Sequence, residues 1–247
     1  MISRGLRMAS PCVRTYHSTS HPASNIIINA KSPEAVLFSK AIEHVPKFGF
    51  SKKAIDTAVR DLEYSDSIQS AITASTGHTS EYSLVLFWLK SQRQKLYDHV
   101  LDVQSPFHKI SDEYDRAAYL LNKRLSFNKP VIGQLTGALS QLVMPYNVVS
   151  SLEELHNLSD DVAFYAGDMS NDSAWYAKRL LLSSIYVKSE LFSLQDTSKD
   201  FADSIEYVNQ SVSSVKSMGY AYTSIEQWAV FNAISSVNLI KSQLARG

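Results

Sequence analysis

The sequence predicts an all-α protein, a helical bundle of about ten helices. Apolar residues recur at spacings of three and four along most of the chain, which is the periodicity of an amphipathic helix. The sequence contains no alternating strand pattern of useful length and no internal repeat. No proline follows Pro145, and this favours long helices in the last third of the chain.

Start and stop signals place these helices in order. The first helix opens at the capping Ser32 and stops before Pro46, because proline cannot continue the hydrogen-bond ladder. Later, Ser150 and Ser151 are each followed three residues on by a glutamate, which makes two overlapping capping boxes. The predicted helices span residues 33–45, 51–63, 65–77, 79–103, 112–125, 131–144, 152–167, 173–195, 201–218 and 222–244.

Residues 1–24 have the composition of a mitochondrial transit peptide, and residues 25–32 form a linker. Arg4, Arg7 and Arg14 are the only charged residues before Lys31, and serine and threonine are frequent. A basic tail without a targeting role is the alternative. Without these three arginines, 21 basic side chains remain against 24 acidic ones, so the domain has no general field for a nucleic-acid backbone.

The first three predicted helices resemble the helix-turn-helix part of TetR-family repressors, in which the third helix enters the major groove. Here residues 65–77 contain neither Lys nor Arg, and Asp66 is their one charge. Phosphate neutralisation supplies much of the affinity for DNA, so the pattern indicates a TetR/FadR-like helical domain over 33–218 that does not bind nucleic acid. A ligand-responsive helix-turn-helix regulator is the alternative function.

The segment 84–89 is apolar on all sides of its predicted helix. We interpret it as a buried central helix, because such a helix has no face to offer to water. A cavity for an apolar ligand in the bundle is the other interpretation, which spacing alone does not establish.

Residues 150–200 carry a dense set of motifs. This segment resembles the coenzyme Q biosynthesis protein nine family, and Val45-Pro46 and Gly49-Phe50-Ser51 fit a turn of the same family. Ala163 is a departure, since the family usually carries Trp at this position. The matching motifs are Asp160-Asp161, Ala166-Gly167-Asp168, Asp172, Trp175-Tyr176, Lys178-Arg179 and Gln195-Asp196-Thr197-Ser198.

The resemblance implies a TetR-like fold and a non-enzymatic role in ubiquinone biosynthesis. It implies a pocket for an isoprenoid quinone precursor or phospholipid, with no cofactor and no metal. It further implies peripheral attachment to the matrix side of the mitochondrial inner membrane, and docking to the di-iron demethoxyubiquinone hydroxylase and other coenzyme Q synthesis proteins.

Helical spacing allows a test of the docking role on the predicted helix 173–195. One side of that helix carries Asp172, Tyr176, Arg179, Ser183, Tyr186 and Glu190. The other side carries Ala174, Ala177, Leu181, Ile185 and Phe192, which we expect to face the core. Exposed Trp, Tyr and Arg dominate many protein interfaces. Together with the family match, this predicts Asp160, Asp172, Trp175, Tyr176 and Arg179 as docking residues. The alternatives are that Trp175 is covered by another helix or packs on Arg179 as a local cation–π pair.

The last predicted helix, over residues 219–247 with its flanks, is apolar and carries few charges. Such a helix must be buried against the domain itself, against a second copy in a homodimer or against a membrane surface. The family favours the membrane, but the polar face lacks a basic cluster, so the homodimer stays open. The residues expected to make this contact are Tyr222, Ile225, Trp228, Phe231, Val237 and Ile240.

A catalytic or metal-binding set is not predicted. Glu153 and His156 form a single Glu-x-x-His pair, whereas a di-iron bundle needs two such pairs and two more carboxylates. We expect His156 to pair with Glu153 or Asp160 on the helix surface. The aspartates at 160, 161, 168 and 172 are interpreted as caps around a helix break.

Overall fold

The computed structural model describes residues 27–169 and 173–218, together with Ser235 and Asn238. These residues form α-helices joined by short turns, which confirms the all-α prediction. The helices of this part of the chain are α1 (Pro33–Phe48), α2 (Lys52–Asp61), α3 (Ser67–Thr76), α4 (Ser80–Leu101), α5 (Glu113–Ser126), α6 (Ile132–Leu142), α7 (Val148–Ala166), α8 (Ser173–Ser193) and α9 (Ala202–Met218).

Two predictions fall outside these residues. The transit peptide over 1–24 is one. The apolar helix 222–244, with its contact residues Tyr222, Ile225, Trp228, Phe231, Val237 and Ile240, is the other.

The first helix does not stop before Pro46, as predicted, but continues to Phe48. Pro46 lies in the last turn, where its missing N–H removes one hydrogen bond without blocking the two residues that follow. The turn then closes at Gly49, whose N–H donates to the carbonyl of Val45 at 2.8 Å and whose φ is +69°.

The start of α7 also differs from the prediction. This helix begins at Val148, so Ser150 and Ser151 lie inside its first turn and do not cap it. The hydroxyl of Ser151 donates to the carbonyl of Asn147 at 2.9 Å and lies 2.9 Å from the Tyr82 hydroxyl of α4. Ser151 therefore ties α7 back to its own backbone and to α4.

Two apolar clusters form the core, and α4 contributes to both. The first joins α1, α2, α4 and α6 through residues such as Phe38, Ile55 and Trp88. The second joins α4, α5, α7, α8 and α9 through residues such as Leu96 and Val208. Since Leu84, Val85 and Trp88 are buried, the apolar run 84–89 belongs to a buried central helix, as interpreted from the sequence.

No helix among the described residues is both long enough and apolar enough to cross a bilayer.

Candidate functional site

The corner between α7 and α8 brings together most of the predicted docking residues. Helix α7 ends at Ala166, and Gly167 adopts a left-handed conformation with φ of +100°, which glycine accepts without steric cost. The chain then passes Asp168 and Met169 and resumes in α8 at Ser173. Asp172 lies outside the described residues.

Arg179 of α8 is the centre of a buried ion-pair group at this corner. Its Nε donates to Asp160 Oδ1 of α7 at 2.6 Å, and its Nη1 donates to Asp168 Oδ2 at 2.8 Å. The same Nη1 donates to the carbonyl of Trp175 at 3.1 Å. Two carboxylates and a carbonyl thus replace the water that this guanidinium loses on burial.

The indole of Trp175 lies directly on this guanidinium. The Cζ of Arg179 is 3.8 Å from the centroid of the indole, so the alternative weighed for this pair, a local cation–π contact, is observed. Tyr176 meets the indole edge-on at 4.7 Å between ring centroids, and the ring of His156 lies 5.9 Å away. His156 therefore faces an aromatic group, while its predicted partner Asp160 is held by Arg179.

The expected orientation of α8 is only partly correct. Tyr176 is 67% exposed, as predicted, and Trp175 is half-buried. Arg179 and Asp160 are 3% and 1% exposed, so the prediction that they face the solvent was wrong, and Tyr186 and Glu190 are buried as well. The prediction from helical spacing assumed that charged side chains face water, whereas here each buried charge has a buried hydrogen-bond partner.

The prediction for Phe192 was wrong in the opposite direction. We expected it in the core, and it is exposed. Its ring stacks on Tyr207 of α9 at 5.5 Å between centroids, so the contact is with a neighbouring helix at the surface.

Two of the aspartates that were predicted to cap helices at the break do not do so. Asp160 and Asp161 are buried inside α7. Asp161 and Glu154 of α7 accept from the Nη1 and Nε of Arg93 on α4, at 2.9 and 2.8 Å. Burial raises the pKa of Glu154, although Arg93 opposes this shift by favouring the carboxylate. These acids therefore attach α7 to α4 and α8.

Two exposed apolar side chains at the corner were not predicted. Met169, which follows the end of α7, and Leu180 of α8 are exposed. Leu180 follows Tyr176 by four residues, so the two lie on one face of α8, and this spacing is a signal that the sequence already contained. We call Met169, Trp175, Tyr176 and Leu180 the corner patch.

An apolar cleft lies behind the corner, between α5, α7, α8 and α9. Its empty volume, open mouth included, is about 410 Å³, but the part that can hold a water-sized group is only about 30 Å³. Lys178 is one of its lining residues, and its Nζ is 2.8 Å from both Glu113 and Asp168. The lining residues are Glu113, Tyr114, Ala117, Ala163, Ala166, Lys178, Leu181, Leu182, Ile185, Val212 and Val215.

The surroundings of Lys178 stabilise its charged form. Partial burial lowers the pKa of its ammonium group, but the hydrogen bonds to Asp168 and Glu113 outweigh this effect, and the pKa is raised. Among the described residues, His, Cys, Asp and Glu do not form a group of three or more that could hold a metal ion.

Comparisons with known proteins place this segment in context. A family model described as COQ9 matches residues 148–219, which include α7, the corner, α8 and α9. The chain is 34% identical to the ubiquinone biosynthesis protein COQ9, mitochondrial, of Saccharomyces cerevisiae, over 88% of this chain and 86% of the relative. It is 32% identical to the protein of that name in Eremothecium gossypii, over 96% and 98% of the two chains. The Xenopus tropicalis protein is 32% identical over 78% of this chain and 60% of the relative.

Proposed function

The chain belongs to the COQ9 family, and from this membership we propose that it is a lipid-binding accessory protein of ubiquinone biosynthesis. In this proposal it presents isoprenoid quinone intermediates to the di-iron demethoxyubiquinone hydroxylase. The fungal relatives that align over almost their whole length are named ubiquinone biosynthesis proteins. The role in ubiquinone biosynthesis follows from this family; the lipid and the hydroxylase are the finer parts of the proposal.

The corner patch is the observation that carries the docking part. Tyr176 offers a large, rigid and mostly exposed ring, and Leu180, four residues later on α8, and Met169, after the end of α7, are exposed apolar side chains of the same corner. Aromatic side chains of this kind supply much of the binding energy at protein interfaces, because they bury a large area at low entropic cost. The helix that presents them is attached to α7 by buried ion pairs, so the patch is rigid before the partner arrives.

The docking part is tested with Tyr176→Ala and a matched control. Tyr146 is 68% exposed, against 67% for Tyr176, and lies in the turn between α6 and α7, away from the corner. We expect Tyr176→Ala to weaken binding to the purified hydroxylase by about 2 kcal/mol, or roughly thirtyfold. Tyr146→Ala should change it by less than about twofold. Equal affinities for the two variants, measured by calorimetry, would contradict docking at the corner.

The apolar cleft supports the lipid part of the proposal. Its walls are mainly Ala, Leu, Ile and Val, while Lys178 and Glu113 supply polar groups. Ligand sites commonly combine an apolar wall with a few polar groups that orient the ligand head. Mass spectrometry of lipid extracted from the purified protein tests this part, and the absence of any isoprenoid would contradict it.

We also propose peripheral attachment to the matrix side of the mitochondrial inner membrane. The relatives are named mitochondrial, and the sequence of residues 1–24 has the composition of a transit peptide. The apolar residues between 219 and 247 supply the contact, either with the bilayer or with a second copy in a homodimer. Flotation with liposomes should be lost when these residues are deleted; unchanged flotation would exclude their role at the membrane.

We assign this protein no catalytic residue and no cofactor. The carboxylates at the corner are engaged with Arg93, Lys178 and Arg179, so they hold helices together and do not form a convergent acid–base set. The alternative of a DNA-binding regulator has little support, because α3 (Ser67–Thr76) contains neither Lys nor Arg to neutralise phosphates. Tight binding in a low-salt gel-shift assay would revive it.

A further inference from the structure

The geometry points to Arg179 as a positioning residue for Trp175. Ion pairs with Asp160 and Asp168 hold the guanidinium, and the guanidinium holds the indole in the orientation that the partner recognises. This inference rests on the proposed function, because it takes the corner patch to be the docking surface of the hydroxylase.

Three contacts fix the guanidinium relative to α7 and α8. Its Nε and Nη1 reach two carboxylates that come from different places, Asp160 within α7 and Asp168 after it. The same Nη1 also reaches the carbonyl of Trp175. A single ion pair would leave the planar guanidinium free to rotate. Contacts at two of its nitrogens prevent this rotation.

This fixed plane covers one face of the Trp175 ring. The distance of 3.8 Å between Arg179 Cζ and the indole centroid is close to van der Waals contact. Trp175 and Arg179 are four residues apart on α8, so the helix itself sets their spacing. Tyr176 then packs edge-on against the indole, and the orientation of one ring restricts that of the next.

The burial of Arg179 distinguishes a direct contact with the partner from an indirect role in docking. Since only 3% of this residue is exposed, it cannot offer its guanidinium to a partner without leaving both carboxylates. Any contribution to docking is therefore indirect, either through Trp175 or through the attachment of α8 to α7, and a double-mutant cycle separates the two. Ordering one large side chain in advance improves binding by about fivefold to tenfold, because the partner does not have to immobilise that side chain.

Arg93 provides a matched control. It is also buried, and its Nε and Nη1 also bridge two carboxylates of α7, Glu154 and Asp161. It joins α7 to α4 and takes no part in the contact with Trp175 described above. A lysine at either position keeps the positive charge but loses the planar two-nitrogen contact. Arg93→Lys and Arg179→Lys should therefore lower the melting temperature to a similar extent.

The experiment compares these two variants in hydroxylase binding and in ¹⁹F NMR of protein labelled with 5-fluorotryptophan. We expect Arg179→Lys to weaken binding by about fivefold to tenfold and to broaden or shift the Trp175 signal. Arg93→Lys should change the affinity by less than about twofold and leave that signal in place. A Trp175 signal that is unchanged in Arg179→Lys would overturn the positioning role, even if no partner were added.

A double-mutant cycle with Trp175→Ala completes the test. If Arg179 acts through the indole, Arg179→Lys causes no further loss of affinity in the Trp175→Ala background, although it still lowers the melting temperature. Additive losses would overturn the inference while leaving the docking surface intact. Unchanged binding by both Trp175→Ala and Tyr176→Ala would instead show that the corner patch is not the docking surface. The orientation of the indole would then have no role in docking.

Discussion

Arg124 of α5 lies between the rings of Trp88 and Tyr186, with its guanidinium carbon 5.3 Å from each ring centroid. Its Nη1 donates to Asn128 Oδ1 at 2.7 Å, and Asn128 Nδ2 in turn donates to Glu190 Oε1 at 2.8 Å. A buried cation and a buried carboxylate are thus connected through a neutral amide. At the scale of single residues, this chain of contacts joins α4, α5 and α8.

Tyr186 donates to the same oxygen of Glu190 at 2.6 Å. Burial raises the pKa of Tyr186 well above its ordinary value, partly opposed by Arg124 and reinforced by Glu190. The phenol therefore remains a hydrogen-bond donor throughout the accessible pH range. The carboxylate of Glu190 depends on these two donors and on the nearby charge of Arg124.

We predict that Arg124→Met lowers the free energy of unfolding by about 3 kcal/mol or more. The substitution keeps most of the apolar volume but leaves the buried Glu190 without a compensating positive charge. Lys129→Ala removes an exposed ion pair with Asp200, whose atoms are 2.8 Å apart, and should cost less than about 1 kcal/mol. Urea denaturation followed by circular dichroism measures both, and equal losses would contradict this ranking.

Asp196 determines how α9 begins, and this belongs to the scale of the element. The backbone N–H groups of Ser198 and Ser204 donate to its two carboxylate oxygens at 2.8 and 2.9 Å, and both serine hydroxyls donate to it as well. Ser204 lies in the first turn of α9, where N–H groups lack partners within the helix. The family motif at 195–198 thus forms a cap for the helix that follows.

The turn before α9 is strained. Asp200 and Phe201 both have positive φ, 60° and 62°, a conformation that residues with a Cβ seldom adopt. Lys129 contacts both, through an ion pair with the carboxylate of Asp200 and with its Nζ 5.6 Å from the ring centroid of Phe201. The cap at Asp196 and the contact with Lys129 together place α9 against α5 and α8.

We expect Asp196→Ala to destabilise α9 by about 1 to 2 kcal/mol, the usual cost of losing a helix cap. Asp203→Ala, an exposed acid in the first turn of the same helix, should cost less than about 1 kcal/mol. Amide hydrogen exchange in α9 measures the difference. Equal exchange rates in the two variants would show that Asp196 does not act as the cap.

The pKa of Asp196 predicts the pH at which α9 loses this cap. Partial burial favours protonation, but the hydrogen bonds from Ser198 and Ser204 outweigh it and lower the pKa of Asp196 from 3.8 to about 2. Because the folded pKa is depressed, the stabilisation is fully present above about pH 4 and is lost as the pH falls through about 2. The protection of α9 amides, taken relative to their intrinsic exchange rates at each pH, should therefore fall over this window in the wild type, while that of Asp196→Ala should depend less on pH.

At the scale of the whole molecule, the two apolar clusters and the cleft are linked. Helix α9 packs on the second cluster through Val208, Val212 and Val215, and the last two of these valines also line the cleft. The cleft is too narrow for a polyprenyl tail as it stands, since only about 30 Å³ of it accepts a water-sized group. A bound tail would require the helices that line the cleft to move apart, which costs part of the second cluster and leaves the first intact.

We predict that Ala163→Phe, which fills the cleft from α7, reduces the isoprenoid extracted from the purified protein at least about fivefold. Ala58→Phe overpacks the first cluster, at an equally buried alanine of α2, and should leave the isoprenoid content unchanged at a similar loss of stability. Mass spectrometry of the extracted lipid compares the two. An equal content in both variants would place the lipid elsewhere.

Much of the fold could be predicted because local rules decide it. Ser32 caps α1 through the N–H of Ala35, Thr79 caps α4 and Asp112 caps α5, each as the sequence suggests. The candidate site was harder to predict, because Arg179 looks like a surface residue until its two carboxylates are known. Helical spacing reports which residues share a face, but it does not report whether a charge on that face has a buried partner.

The sequence by itself determined the all-α class, the order of the helices and the family, because periodicity, caps and motifs are local properties of the chain. Only the tertiary structure decided that Arg179, Asp160 and Asp168 are buried supports beneath Trp175 and Tyr176, and that Asp196 accepts from the N–H of Ser204, eight residues later, in the first turn of α9. These assignments depend on distances between helices that approach each other only after packing. No local pattern records such distances, because they result from the summed contacts of the core.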